Sequence, residues 1–277
     1  RDSSSPVSVI AEAELQRDLR PQLGEALANQ AGVSATSFGP NASRPVLRGL
    51  QGERVRILTD GIGAFDVSNT SADHAVAIDP LLADRIEVLR GPASMRFGSS
   101  AIGGVVNVLD KRIPLELPDN RVAVDASAAY GSAARERSGG GALTARLGDT
   151  FAVRAGGSYT KTGDLRTGGF ILARGLRNQA ATSVDTDIRA LSTRAGRLAN
   201  SSSETRTGHI GIAHINDGGT IGAALTRYES VYGLPIRYDL TPGAEQEAVS
   251  IDAKQTRADL RASVTITGTL ILSRLLA

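Results

Sequence analysis

The sequence predicts an α+β domain over residues 1–118, followed over 119–277 by long antiparallel strands. Three observations predict this. Before Pro118, helical spacing is mixed with short β-type runs. After it, apolar and polar side chains alternate over stretches of roughly ten residues. Short and long connections alternate between these stretches, and the short ones carry turn residues, as in Gly148-Asp149-Thr150 and Asn216-Asp217-Gly218-Gly219.

In chain order, residues 1–5 are polar and loose, and Pro6-Val7-Ser8-Val9-Ile10 reads as a short strand. A helix starts at Ala11 and breaks at Pro21. A second covers Leu23 to Gln30, with Leu19, Leu23 and Leu27 four apart on one face and Gly32 as its stop. Residues 34–44 read as a loop. Val46-Leu47-Arg48-Gly49 and Val55-Arg56-Ile57-Leu58 read as strands, Asp60-Gly61 as a turn, and 64–75 as a polar loop. Asp79-Pro80-Leu81-Leu82 opens a short helix. Two β-type runs, RIEVLR from Arg85 and VVNVL from Val105, then flank a segment crowded with Gly and Ser. Gly98, Gly103 and Gly104 permit tight turns and close backbone approach there.

Beyond Pro118, Val122, Val124, Ala126, Ala128 and Tyr130 form one apolar face, while Arg121, Asp125 and Ser127 point the other way. Phe151, Val153, Ala155, Gly157 and Tyr159 alternate with Arg154, Gly156, Ser158 and Thr160. Thr256, Ala258, Leu260, Ala262, Val264 and Ile266 alternate with Arg257, Asp259, Arg261 and Ser263. About six such strands are expected, each long enough to span a bilayer when tilted. Tyr130, Phe151 and Tyr159 stand at the ends of apolar faces, where interface aromatics sit. The long connections, 161–205 and 231–252, then share one side, the outside. A soluble sandwich shows the same period, so alternation alone leaves both readings open.

Composition narrows the function. Hydrophobic residues make up 41% and charged ones 22%, a folding composition. A net charge of +2 with interspersed signs exerts no strong pull on nucleic acid, and 4% aromatics do not supply a base-stacking platform. The absence of cysteine excludes disulfides, thiolate zinc sites and cysteine catalysis. No apolar run approaches the roughly 20 residues of a membrane helix, so a membrane location requires a β-barrel. Gly61-x-Gly63 lacks the third glycine of a dinucleotide fingerprint, Gly98 to Gly104 has no Lys-Ser/Thr pair, and no serine sits in a G-x-S-x-G elbow. The chain therefore reads as a non-enzyme. It starts at Arg1 without Met or signal peptide, as a processed or trimmed product would.

The block Arg85-Ile86-Glu87-Val88-Leu89-Arg90-Gly91-Pro92, with Phe97-Gly98-Ser99-Ser100-Ala101-Ile102-Gly103-Gly104-Val105-Val106-Asn107-Val108, resembles the end of the plug domain in TonB-dependent outer-membrane receptors. Order and spacing match over about two dozen positions, far more than a lone glycine motif. Pro6 to Ile10 and the following helices resemble the start of a plug. Arg44-Pro45-Val46-Leu47-Arg48-Gly49-Leu50 resembles its central Arg-Gly motif, and Asp60-Gly61 the turn after its next strand. Residues 48–75 (RGLQGERVRILTDGIGAFDVSNTSADHA), Leu198-Ala199-Asn200-Ser201-Ser202 and Tyr228-Glu229-Ser230-Val231-Tyr232-Gly233-Leu234-Pro235 resemble the zinc-uptake group within that family.

The resemblance implies a plug (1–118) and the first strands (119–277) of a transmembrane β-barrel, which has about 22 strands in the family. It implies the outer membrane of a Gram-negative bacterium, with lipid around the barrel. It also implies energising by TonB with ExbB-ExbD, and a plug that rearranges to pass an externally bound metal ion or metal complex, zinc first. No cofactor is required. Asp73 and His74 are implied as the first zinc ligands, with two more needed for a tetrahedron. Taken without the likeness, the same pair reads as a solvated loop histidine beside an N-cap-like aspartate. Arg48, Arg85, Glu87, Arg90 and Arg96 are implied as plug–barrel contacts, and Gly49, Gly91, Gly98, Gly103 and Gly104 as plug turns. Heme, a siderophore or an organic solute are alternative cargoes, and loops poor in His and Tyr weigh against heme. A soluble β-rich binding module is the alternative of another class.

Smaller signals complete the reading. His209 and His214 are five apart on a strand, so they fall on opposite faces and cannot share one ion; solvated or structural roles are expected, with a place lining the lumen as the alternative for His214. Asp239, Glu245, Glu247 and Asp252 form an acidic loop that either draws cations or is simply solvated. Six strands cannot close around a plug, and the end Ser273-Arg274-Leu275-Leu276-Ala277 lacks a terminal aromatic. The TonB box is absent or lies upstream of Arg1. Together these features read as a fragment or a truncated gene.

Overall fold

The computed structural model describes residues 7–64, 68, 71–98 and 101–264. The loose start at 1–5, Pro6, Ser99, Ser100, parts of the 64–75 loop, Ile266 and the Ser273–Ala277 end lie outside the described residues.

The N-terminal domain is built on a five-stranded sheet. Its strands are β1 (Val7–Ala11), β4 (Val55–Thr59), β5 (Ile62–Gly63), β6 (Ala83–Leu89) and β7 (Gly104–Asp110), in the order β1-β6-β7-β4-β5. Only the β4–β7 pair is parallel. Strand β7 lies inside the sheet, which is why its sequence runs Val105-Val106-Asn107-Val108 with hardly an alternation. Asn107 is the one polar residue in this run and is bonded at both ends of its amide: its Oδ1 accepts from the Gly61 amide at 2.9 Å and its Nδ2 donates to Glu87 at 3.4 Å. Leu15 of α1 (Glu12–Arg17), and Leu23 and Leu27 of α2 (Leu23–Leu27), close the core over Ile10, Ile57, Ile86, Val88 and Val106.

Two local expectations change. The second helix ends at Leu27 rather than Gln30. There the amides of Ala28 and Gln30 bond carbonyls three residues back, tightening the chain into turns. Part of the expected 34–44 loop is a hairpin, in which β2 (Val33–Ala35) pairs with β3 (Pro45–Leu47). Three-residue strands are too short for a period to register.

Gly103 and Gly104 enter β7 where no side chain fits. A Cβ on Gly103 would stand 2.7 Å from the Arg54 carbonyl oxygen. One on Gly104, at φ 136°, would stand 2.7 Å from both Leu47 Cδ1 and the Leu89 carbonyl oxygen. Gly49, Gly91 and Gly98 also have positive φ.

Six strands follow: β8 (Val122–Gly131), β9 (Glu136–Leu147), β10 (Phe151–Thr162), β11 (Ser203–Asn216), β12 (Gly219–Gly233) and β13 (Ser250–Val264). They form one antiparallel meander in chain order. One face is apolar and exposed, as at Val124, Leu143, Phe151, Ile212, Leu225 and Leu260. The other covers the N-terminal domain with small and polar residues such as Ala152, Ala213, Thr205 and Ser230. The apolar face stops at a register row, Tyr159–Arg206–Glu229–Lys254. From Phe151 to Tyr159 the band rises roughly 20 Å once the strands are tilted, close to the lipid band of an outer-membrane barrel. The short turns 148–150 and 217–218 lie at its lower end, and the short 132–135 turn lies at its upper end. Connections 163–202 and 234–249 lie at its upper end.

The first of these connections is more structured than a loop. It holds α3 (Arg174–Ala181) and α4 (Thr186–Leu191), whose Ala180, Ile188 and Leu191, with Leu172 just before α3, bury against Tyr238 and Leu240 of the second. Asp185 caps α4 by accepting from the amides of Asp187 and Ile188.

Candidate functional site

At the long-loop end an open cleft of about 1240 Å³ separates the N-terminal domain from the two connections. Its apolar lining includes Phe38, Leu176, Leu234, Pro235, Tyr238 and Leu240. Its charged lining is Asp73, Asp239, Glu245 and Glu247, against Arg237.

Both sides of the cleft are fixed by hydrogen bonds. Buried Arg44 donates to the carbonyls of Ser68 and Ser71, and the Tyr232 hydroxyl of β12 accepts from the Ala75 amide at 2.8 Å. These ties hold the segment that carries Asp73 and His74. The Ser71 hydroxyl bonds the Asp73 carboxylate and keeps it below the usual carboxylate range, helped by its own amide, His74 and Arg44. On the loop side, Asn200 Nδ2 donates to the carbonyls of Leu234 at 2.7 Å and Val249 at 2.8 Å. Arg194 donates to the Tyr238 hydroxyl at 3.1 Å. Asp239 accepts from the Thr241 amide, which also holds its carboxyl low.

Asp73 lines the cleft, and His74 is not among its lining residues. Among the described residues no cluster of three or more His, Asp or Glu side chains is placed to hold a metal ion. The pair offers two potential ligands where tetrahedral zinc needs four. His214 faces the outer, apolar side of β11, edge-on to Phe151 with ring centroids 4.8 Å apart, a structural place that rules out the alternative of lining the lumen. His209 takes the inward position, beside Thr207, Asp110 and Arg112. The register of β11 decides this, because Gly211 and Ala213 are the residues packed inward.

The seam between domain and sheet is polar. Asp79 is half-buried and accepts from Ser158 of β10, and Asn41 donates to Ser230 of β12 at 3.1 Å. The densest point is Arg112, whose side chain is 7% exposed. It reaches Asp110 at 2.5 Å, Asp259 of β13 at 3.1 Å and Asp60 at 3.8 Å. Arg257 supports Asp259 at 2.7 Å and donates to the Thr59 carbonyl at 3.4 Å. Next to this cluster, Ile113 packs on Ala213 and Ala224, and the Arg112 carbonyl lies against Gly211 of β11.

Asp60 carries a pH consequence. Burial, then the neighbouring Asp110, pushes its carboxyl up to about 6, against the opposing pull of Arg112. A carboxyl raised on folding binds more protons folded than unfolded, so its contribution to stability falls as pH rises from about 4 to about 6 and is constant below. Asp60→Asn is expected to remove this slope. The check is the denaturation midpoint of both proteins in detergent at stepped pH, and an unchanged slope would contradict it.

Residues 1–105 match the family model described as TonB-dependent Receptor Plug Domain. The chain has the fold of a TonB-dependent receptor plug with six strands of its barrel. Among solved structures, the siderophore receptor PirA from Acinetobacter baumannii matches with a TM-score of 0.52 and 18% identity, over 93% of this chain and 44% of its own. The copper transporter OprC matches at 0.58 and 17%, over 83% and 32%. The ferric-catecholate import receptor Fiu from E. coli K12, in its open form, matches at 0.56 and 21%, over 96% and 49%. The chain thus spans less than half the length of each of these structures.

Of the five charged residues expected at the plug–barrel contact, three pair within the N-terminal domain and two are exposed beside the six strands present. Arg85 bonds Glu87 at 3.0 Å and Asp84 at 3.3 Å, Glu87 accepts from Asn107, and Arg90 donates to Ser8 at 3.1 Å, all within the plug. Arg48 and Arg96 are exposed. Against the six strands present, the plug is held instead by Asn41, Thr59, Ala75, Asp79 and Arg112. The charge run Asp110-Lys111-Arg112 was the one sequence signal for this seam.

Proposed function

We propose that this chain is the plug and leading barrel strands of an outer-membrane TonB-dependent receptor that imports a metal, as an ion or as a small complex. The observation that carries this reading is the plug seated by polar contacts against the inner face of a sheet whose outer face is a lipid-height apolar band. A soluble module would have no reason to expose that band. A six-stranded sheet leaves two edges in lipid, so the working receptor contains further strands that close the barrel.

In this reading the long connections face outward and the cleft receives cargo. TonB, energised by ExbB-ExbD, supplies the work that loosens the plug. Polar seam contacts suit this role, since water can replace them when the plug shifts. Siderophore receptors and a copper transporter among the similar folds support a metal cargo. Zinc is the first ion to test, because Asp73 lies on the cleft with His74 adjacent in sequence.

Two measurements test the reading. Uptake of radiolabelled zinc by cells expressing the receptor is expected to vanish when TonB is deleted. Equal uptake without TonB would overturn the receptor assignment. Zinc titration of the receptor in detergent is expected to weaken about tenfold in His74→Ala, the loss of one imidazole ligand. Indifference to His74 would remove zinc and leave the siderophore or other complex as cargo.

A further inference from the structure

Resting on the receptor reading above, we infer that the outer face of β9–β11 docks one phosphorylated glycolipid of the surrounding leaflet, held by Arg137, Lys161 and Arg206. Charge, position and shape lead there.

The ladders gather these cations. Arg137 of β9 stands opposite Lys161 of β10, and Lys161 stands opposite Glu204 of β11. Arg206 lies one step lower on the same face, opposite Tyr159. Like charges directly opposite on neighbouring strands are destabilising, so the Arg137–Lys161 pair costs the free sheet something. Glu204 serves both Lys161, at 2.9 Å, and Arg206. Arg137 enters no ion pair among the described residues. Farther along the same belt the charges balance, with Arg227 on Glu229 at 2.8 Å and Lys254 on Asp252 at 2.7 Å. The surplus positive charge is therefore concentrated on β9–β11, on exposed side chains. A multiply charged phosphate group relieves it with charge-assisted hydrogen bonds.

The patch is continuous with the lipid-facing band. In the register rows of Phe151, Val153 and Ala155, the outward residues of β8–β13 include neither Lys nor Arg. The cations appear only above these rows, toward the long connections. A band that is cationic along one edge meets the headgroups of one leaflet, here the outer one. Tyr130, opposite Arg137 and 68% exposed, offers a ring face at headgroup height, where a sugar can stack. The Arg206 guanidinium lies 5.6 Å from the centre of the Tyr159 ring, which steadies it against the sheet.

The wall beneath the cations is bare. Gly141, Gly157 and Gly208 stand side by side on the outer face, and Gly139 lies opposite Tyr159. On the inner face Gly140 and Gly211 make room for Leu82 and Arg112 of the N-terminal domain. The outward glycines meet no part of that domain. Glycine inside a strand marks a place where a ligand or another backbone comes close. The recess and its cations span two strand spacings, roughly 10 Å, wider than one phosphate and suited to a sugar head that carries several.

The experiment titrates the receptor in detergent by native mass spectrometry. The probes are lipid A, a phosphorylated diglucosamine lipid; the same lipid with its phosphates removed; phosphatidylglycerol; and inorganic phosphate. Lipid A is expected to bind at least about tenfold more tightly than any of the other three. Arg137→Gln with Lys161→Gln is expected to abolish most of that preference. Arg227→Gln with Lys254→Gln takes the same charge from the balanced part of the belt and is expected to change affinity less than about twofold. In lipid-free detergent Arg137→Gln is expected to melt no lower than the parent, since it relieves the like-charge pair. The inference is overturned if any of the other probes binds as tightly as lipid A or if both double variants lose lipid A equally. It is also overturned if Arg137→Gln melts below the parent, which would make Arg137 a structural residue. TonB-dependent uptake is scored separately, so lipid docking can fail while the receptor assignment stands.

Discussion

Gly211→Ala is expected to unseat the plug from the sheet. Gly211 faces inward on β11, and the carbonyl of Arg112 occupies the space a methyl group would take. The obstacle is backbone, so no rotamer change relieves it. Either the linker after β7 lifts or β11 bows, and both disturb Ile113 on Ala213 and Ala224. Overpacking of this kind costs about 3 kcal/mol. Gly208, three residues earlier, has nothing within 4 Å of its Cβ position, so Gly208→Ala is the control and is expected to change stability by less than about 0.5 kcal/mol. Denaturation midpoints in detergent, with protease sensitivity of the 111–121 linker, distinguish the two. Equal midpoints would show that the close approach carries no weight.

Arg112→Met is expected to be of similar size for an electrostatic reason. The substitution keeps much of the volume and removes the charge, leaving Asp60 and Asp110 together without their buried counter-ion. Breaking a buried pair by removing one partner costs about 3–5 kcal/mol. Asp259→Asn is expected to cost clearly less, because Arg112 retains Asp110 and Arg257 retains the Thr59 carbonyl. If both variants lose the same stability, the link to β13 and not the local charge balance is what matters. The ranking can be read from the same detergent melts.

Much of the fold was legible because period 2 is a local property. Phe151 to Tyr159 shows which residues face out before any partner is known, and the pairing follows in chain order. The Gly-Gly step before Val105 was legible for the same reason, since a glycine needed for close approach stands out in a β-type run. The seam was not legible. Arg112 meets Asp259 across 147 residues, and nothing near either residue announces the other. Helices α3 and α4 hid inside a loop because their apolar faces are only a few residues each. The Asp185 cap, with Ile188 and Leu191 three apart, was the available signal. At the cleft, Asp239, Glu245 and Glu247 were visible as an acidic loop, but their position opposite Asp73 depends on the two connections folding together.

Strand β1 sits at the margin of the plug sheet and, among the described residues, pairs only with β6, through five residues from Val7 to Ala11. Removing it breaks one ladder and frees Ile10, while β4, β6 and β7 keep their mutual pairing and most of the core. Removing β7 would break two ladders at once. Mechanically, the sheet has a detachable border on the side where the chain begins. A load on the start of the chain meets that border first, and the interior can stay folded after it has gone.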